Sequence, residues 1–421
     1  MPPSRQKGAD MDKRMRAHAD QIVSASIRAV QPDEAVGRAL RGQDFPGRVL
    51  LVAAGKAAWQ MAKAARDCLG DRIEAGVVVT KYDHVMGPIG NFDCREAGHP
   101  VPDENSFAGT QAALDLVQGL SEKDTVLFLL SGGGSALFEK PLVPAEVLQD
   151  ITGQLLACGA DIVEINTVRK RLSGVKGGRF AQACAPAKVF AVILSDILGD
   201  PLDMIASGPA CPDSTTCAQA KAIAEKYNLR LTEDAVRCLN TETPKALDNV
   251  TTQITGSVRE LCTAAAAACR ELGYEPVILT DQLCCQAKEA GSFLASILKT
   301  HYGSGKKLAF LAGGETVVQL TGHGKGGRNQ ELALSAATGM DGLTGVCVFS
   351  VGSDGTDGPT DAAGGYADGE TAAQLRSQGL TVYGVLQDND AYHALKMTDG
   401  LIVTGPTGTN VNDVAVALLE G

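Results

Sequence analysis

Several runs of strand length in this chain are apolar on both faces. RVLLVAA from 48, AGVVVT from 75, TVLFLLS from 125 and KVFAVILSD from 188 lack the inside–outside alternation of a half-exposed sheet. Strands of this kind must be covered by helices on both sides. Longer stretches of helical period lie between them: a helix around Trp59 and Met61, another from Ala108 to Leu120, and an amphipathic one over residues 10–40 with Ile22, Val23, Ile27 and Val30 at helical spacing. The alternation predicts an α/β fold with a mainly parallel sheet. TETPKALDNVTTQITG, near 240, has no strong period and suits a linker or an edge element. A second series then runs through PVILTD from 276, a helix Gln286 to Thr300, KLAFLAGGE from 307, VVQLT from 317, a helix Arg328 to Gly339, VCVFSVGSD from 346, and LIVTG from 401 into a final helix. The 421 residues therefore divide into two α/β domains, a Rossmann-like one over 1–240 and another over 241–421, with mainly parallel sheets covered by helices. The last helix is free to pack back on the first domain, and the active site is expected in the interdomain cleft.

Composition narrows the partners. With 38 basic and 49 acidic residues the net charge is -11, which argues against a nucleic acid held by general electrostatic attraction. The twelve cysteines include no CxxC pair, so reduced thiols in a cytoplasmic protein are the better reading than a disulfide framework. No stretch approaches the roughly 18 apolar residues of a membrane helix, and the first residues lack the apolar core of a signal peptide. Glycine is in excess, at 48 residues.

Many of these glycines follow strands. VLLVAA leads into Gly55 and Lys56, TVLFLL into SGGGSAL, VFAVIL into SDILGDP, KLAFLA into GGET, VCVFSV into GSDGTDGPTDAAGG, and LIVT into GPTGTN. In open α/β sheets, ligands collect beyond the carboxyl ends of strands. Ser131, Gly132, Gly133, Gly134 and Ser135 form a turn whose amides and hydroxyls suit a phosphate or carboxylate. Lys56 is not a Walker lysine, since no GxxxxGK[ST] surrounds it. Arg169, Lys170, Arg171, Lys176 and Arg179 make a basic segment better suited to a small anion or an ion-pair face than to nucleic acid. The match to GxGxxG at Gly322, Gly324 and Gly327 is weak, because it lies late in the chain and carries Lys325 and Arg328; a cationic loop closing on phosphate fits better. Carboxylates at Asp196, Asp200, Glu315, Asp354, Asp357 and Asp361 suit Mg²⁺ beside phosphate, although each singly suits a turn. There is no HExxH or GxSxG, and the six histidines do not cluster; His99 and His323 read more readily as packed or surface residues.

Eight stretches taken together carry a more specific signal: GKAAWQMA (55–62), SGGGSALFEKP (131–141), INTVRKRLSGVKGGRFA (165–181), SDILGDPLDMIASGPACPD (195–213), GGETVV (313–318), GHGKGGRNQELAL (322–334), GSDGTDGPTDAAGG (352–365) and TGPTGTNVND (404–413). In this order they resemble the type 2 glycerate kinases, which join an amino-terminal glycerate-kinase domain to a carboxyl-terminal MOFRL domain. The resemblance implies phosphorylation of D-glycerate at its 2-hydroxyl by ATP with Mg²⁺ or a similar divalent metal. By motif it points to Lys56, Asp196 and Arg328 as catalytic. Ser131 to Ser135, Gly313, Gly314, Glu315, Gly355, Thr356 and Asp357 become nucleotide or phosphate contacts, and Asp196, Glu315 and Asp354 metal ligands. Arg171 and the stretch LQDNDAYHAL (386–395) depart from the family pattern. The partners implied are the two small molecules, with neither nucleic acid nor membrane, and a homodimer is admitted. The competing reading is a hydroxypyruvate reductase or glycerate dehydrogenase using a nicotinamide cofactor, which would need a true dinucleotide fingerprint.

Overall fold

The computed structural model describes residues 3–421. The chain forms two compact units, one of residues 32–255 and one of the residues up to 31 together with 256–421. The single helix expected over 10–40 is two helices, Pro3–Ala29 and Pro32–Leu40. Pro32 explains the break, because proline disfavours helical backbone in the residue before it and is well suited to open a new helix. The helix Pro3–Ala29, expected with the amino-terminal domain, lies in the unit that holds 256–421.

The unit of 32–255 is built on β1 (Val49–Ala54), β2 (Ile73–Lys81), β3 (Asp93–Ala97), β4 (Thr125–Leu130), β5 (Lys188–Leu194) and the edge strand β6 (Val250–Gly256). The sheet order is β3-β2-β1-β4-β5-β6, and the pairs among β1 to β5 are parallel. The apolar runs are buried on both faces: Leu50, Val52 and Ala54 of β1 join one core cluster, while Val49, Leu51 and Ala53 join another. From β1 the chain moves outward to β2 and β3, then returns to β4 on the other side of β1. Strand order thus reverses between β1 and β4, where such sheets open a crevice beyond their carboxyl ends. Ala54 and Leu130 finish these two strands in register, so Lys56 and the triple-glycine turn emerge side by side.

The other unit contains β7 (Glu275–Leu283), β8 (Lys307–Gly314), β9 (Val346–Gly352), β10 (Gly364–Asp368), β11 (Leu401–Ile402) and β12 (Asp413–Glu420), in the order β11-β10-β9-β12-β8-β7. β7 and β8 are parallel, β12 is antiparallel to both β8 and β9, and β10 is antiparallel to β9 and β11. β7, β8, β9 and β11 therefore run one way, and β10 and β12 the other. The expected final helix is this strand β12. Val414 to Leu419 are consecutive apolar residues, all buried, and a central strand covers such a run on both faces. VVQLT at 317 forms no regular strand; only a bridge joins Val317 to Gln286, and Val317 and Leu320 are exposed.

Candidate active site

In the unit of 32–255, backbone bonds stitch the turns after β1 and β4 together. Ser131 N–H donates to Ala54 O (3.0 Å) and Lys56 N–H to Gly132 O (2.8 Å), while Ser131 Oγ accepts from Ala57 N–H (3.0 Å). Gly133 caps the short helix Gly134–Leu137 in the left-handed region, at φ 85°. The glycines are also needed for closeness. A Cβ on Gly132 would overlap Asp196 Oδ2, and one on Gly133 would lie 3.0 Å from the His99 ring and 3.2 Å from Lys56 Cγ. Lys56, Asp196, His99 and the triple-glycine turn are thus brought together. Burial, and then the charges of Lys56 and Lys81, push the His99 imidazole down from its ordinary value. His99, which in sequence reads more readily as a packed or surface residue, lies just past β3, a strand too polar to show as an apolar run.

No local pattern in the sequence announces a second set of neighbours. Ala206 and Ser207 sit in the left-handed region at φ 50° and 61°, which costs non-glycine residues about 1–2 kcal/mol each. Ser207 Oγ donates to Asn166 Oδ1 (2.8 Å) and Gly177 N–H donates to Ser207 O (2.9 Å), holding the turn against Gly134.

Most of the basic segment is structural, so of its two expected uses, a small-anion site and an ion-pair face, the ion pairs are what form, inside the unit of 32–255. Lys170 pairs with Asp203 (3.2 Å) and Asp213 (3.1 Å), Arg171 with Asp213 (3.4 Å) and Glu242 (3.3 Å), and Lys176 with Glu139 (2.8 Å); the three cationic side chains are fully buried. Arg179 donates to the carbonyls of Lys170, Arg171 and Ser173. The three fully buried charges must be paired, and these are.

In the other unit, sheet register gathers the carboxylates. Asp413 opens β12 opposite Gly314 of β8 and Gly352 of β9. Glu315 and Asp354 follow those two strands, so three acids lie at one end of the sheet. Gly313 and Gly314 are themselves buried strand residues. Arg328, first residue of the helix Arg328–Met340, answers the acids: Nε and Nη2 donate to the two oxygens of Asp413 (2.6 and 3.1 Å) and Nη1 donates to Glu315 (2.9 Å). Burial works against the guanidinium charge, but Asp413 and then Glu315 hold it in place. The fork expected to grip a ligand is therefore occupied by Asp413, and two of the five N–H groups remain for a substrate.

Asp357, expected as a nucleotide or phosphate contact, borders the groove that Glu315 and Arg328 also line, with its carboxylate engaged by backbone. It is buried, with Oδ1 accepting from Asn329 N–H (3.1 Å) and Oδ2 from Gln330 N–H (2.9 Å), so it caps the helix that carries Arg328. Burial, opposed by those amides, pushes its carboxyl up to about 6. Gly355 and Thr356 form the turn after β9, where Thr356 N–H donates to Asp354 Oδ1 (2.9 Å). The weak dinucleotide pattern has a different purpose as well. His323 N–H bonds Asp388, Gly322 N–H bonds Asn389 and Lys325 N–H bonds Asp390, so this loop is zipped to the 388–390 stretch, part of the segment that departs from the family pattern. Glu315, Thr316, Gly327, Arg328, Asp354 and Thr356 line an open groove of about 700 Å³. Among the described residues no group of three or more His, Cys, Asp or Glu side chains forms a ready metal cage. Two carboxylates on one groove, Glu315 and Asp354, match the way Mg²⁺ is held when phosphates complete its shell.

Known proteins resemble this chain along most of its length. Residues 18–240 match a family described as a domain of unknown function (DUF4147), and residues 308–413 match the MOFRL family. A D-glycerate 2-kinase of Thermotoga maritima is 54% identical over 95% of this chain and 97% of its own. A glycerate 2-kinase of Pyrococcus horikoshii is 42% identical over 94% and 96%. A relative from Agrobacterium vitis, 39% identical over 94% and 93%, is provisionally named a hydroxypyruvate reductase. The crystal structure of a glycerate kinase from Thermotoga maritima superposes with a TM-score of 0.92 at 52% identity, covering 97% of this chain and 100% of that one.

Proposed function

The chain belongs to the type 2 glycerate kinase family, and we propose how its own residues carry the reaction. It is an ATP-dependent phosphotransferase that moves the γ-phosphoryl group of ATP to the 2-hydroxyl of D-glycerate, leaving ADP and 2-phosphoglycerate. The observation that carries the site assignment is the reversal of strand order between β1 and β4, where Lys56, Asp196 and the triple-glycine turn converge.

In this reading Asp196 accepts the proton of the 2-hydroxyl as its oxygen attacks phosphorus. Lys56 and the free N–H groups of Arg328 balance the negative charge of the substrate carboxylate and of the phosphoryl group in transfer. The amides of Gly132 to Ser135 and the turns at Glu315 and at Gly355–Thr356 contact the nucleotide phosphates. Glu315 and Asp354, with Asp196 as a third candidate, would hold Mg²⁺. Bound there, Mg²⁺ would supply positive charge that offsets the phosphates. Asp357 contributes by fixing the helix of Arg328. The twelve free thiols support a reducing, cytoplasmic setting, and no described helix is long and apolar enough to cross a membrane. A homodimer is the assembly to look for by light scattering.

Incubation with ATP, Mg²⁺ and D-glycerate, read by phosphorus NMR, should show 2-phosphoglycerate and ADP. Oxidation of NADH by hydroxypyruvate with no ADP formed would sink the kinase reading in favour of the reductase. For the residues, Lys56→Ala, Asp196→Asn and Arg328→Ala should each lower kcat by about 10²- to 10⁴-fold with folding intact. Near-normal turnover in Asp196→Asn removes it from the proton-accepting role.

A further inference from the structure

Of the five cations between residues 169 and 179, Lys170, Arg171 and Lys176 are paired with carboxylates and Arg179 gives Nη1 to three backbone carbonyls, whereas Arg169 makes a single hydrogen bond among the described residues. Its Nη2 donates to Ser135 O (3.1 Å), its Nε is buried without a partner, and among the described residues no carboxylate lies within ion-pair distance of it. Arg169 belongs to the helix Ile162–Leu172, half-buried where that helix meets the triple-glycine turn. The same Ser135 carbonyl accepts from Lys176 Nζ (3.0 Å). Two positive charges therefore stand behind the turn, and among the described residues the carboxylate paired with either is Glu139, on Lys176 (2.8 Å). One positive charge is left over, at the turn whose Gly132 touches Asp196 and whose Gly133 touches Lys56.

We propose that Arg169 is a specificity-determining residue that donates the hydrogen bonds to the hydroxy-acid acceptor's carboxylate, beside the charge that Lys56 supplies. Its one bond to Ser135 leaves both Nη1 hydrogens and one on Nη2, enough for a planar carboxylate to take two hydrogen bonds end-on. That grip fixes the acid end of a three-carbon substrate and holds its neighbouring hydroxyl in reach of Asp196. An alcohol without a carboxylate would leave the charge unpaired, which is how such a site rejects it. The inference rests on the glycerate kinase reading and on Asp196 serving the acceptor hydroxyl.

The test is steady-state kinetics of Arg169→Gln and Arg169→Lys with each substrate varied in turn, alongside thermal unfolding. In Arg169→Gln the KM for D-glycerate should rise roughly 10- to 100-fold, the loss expected for hydrogen bonds between charged groups, while the KM for ATP stays within about twofold. Arg169→Lys, which keeps the charge without the fork, should recover part of the loss. A rise in the KM for ATP instead would assign the guanidinium to phosphate and overturn the proposal, as would unchanged kinetics in both variants. Should Arg169→Gln fail to fold, Arg169→Lys decides alone, and a normal KM for D-glycerate there overturns it. Absence of turnover in the unmodified protein would mark failure of the kinase reading itself, a distinguishable result.

Discussion

Asp213 shows at the scale of one residue why sequence leaves the basic segment open between a small-anion site and an ion-pair face. Its buried carboxylate accepts from Lys170 (3.1 Å), Arg171 (3.4 Å), Thr215 N–H (3.0 Å) and Thr243 Oγ1 (2.7 Å). Burial alone would push its pKa up, but Thr243, Thr215 and Lys170 hold it down to about 2. Replacing it with asparagine leaves two buried cations without their shared counter-charge, so Asp213→Asn should lose about 3–5 kcal/mol of stability in urea unfolding. The sign with pH follows from the depressed value. The stabilisation is fully present above the unfolded carboxyl value near 4 and is lost as pH falls from about 4 toward 2, so wild type should show an acid limb that the variant lacks. In the chain the partners of the segment stand at 139, 203, 213 and 242, far from the cations they neutralise. Local spacing shows a run of like charge and nothing of what covers it.

At the scale of elements, the strand ends were legible because apolar runs announce β1, β4, β5, β8 and β9, and chemistry concentrates just past such runs. What remained hidden were contacts between turns distant in sequence, such as Asp196 beside Gly132, Asp413 beneath Arg328, and the 388–390 stretch against 322–325. Gly132→Ala tests the first of these contacts. A methyl group there overlaps Asp196 Oδ2 and must move either the carboxylate or the turn, and a displacement of about 1 Å at such a site costs on the order of 10²-fold in rate. We expect that loss in kcat with an unfolding temperature close to wild type. The control is Gly153→Ala in the helix Ala145–Ala157, where nothing lies within 4 Å of the added methyl. That change should leave kcat alone and stabilise the protein by about 0.5–1 kcal/mol. Equal kinetic effects of the two substitutions would show that the glycine turn is not reading Asp196.

For the whole molecule, the chain's beginning and end are core pieces of one unit, a fact that no local pattern announces. The helix Pro3–Ala29 and the residue after it bury Met15, Ile22, Val23, Ile27 and Val30. Arg16 donates to the carbonyls of Asp399 (2.6 Å) and Leu401 (2.9 Å), His18 meets Tyr274 at 2.9 Å, and Thr409 Oγ1 donates to Val30 O (2.9 Å). The helix therefore completes a unit whose remaining residues begin at 256. Five large apolar side chains at about 1.5–3 kcal/mol each amount to roughly 8–15 kcal/mol, as much as the whole stability of an ordinary domain. A chain lacking residues 1–31 should then lose the fold of 256–421 while 32–255, with its own sheet and clusters, persists. Hydrogen exchange read by mass spectrometry separates the outcomes. Fast exchange confined to 256–421, slowed again when the 1–31 peptide is added, is expected; full protection of 256–421 without the peptide would show that the helix covers a unit able to fold alone. Since Arg328, Glu315 and Asp354 all lie in that unit, kinase activity should fall and return together with its protection.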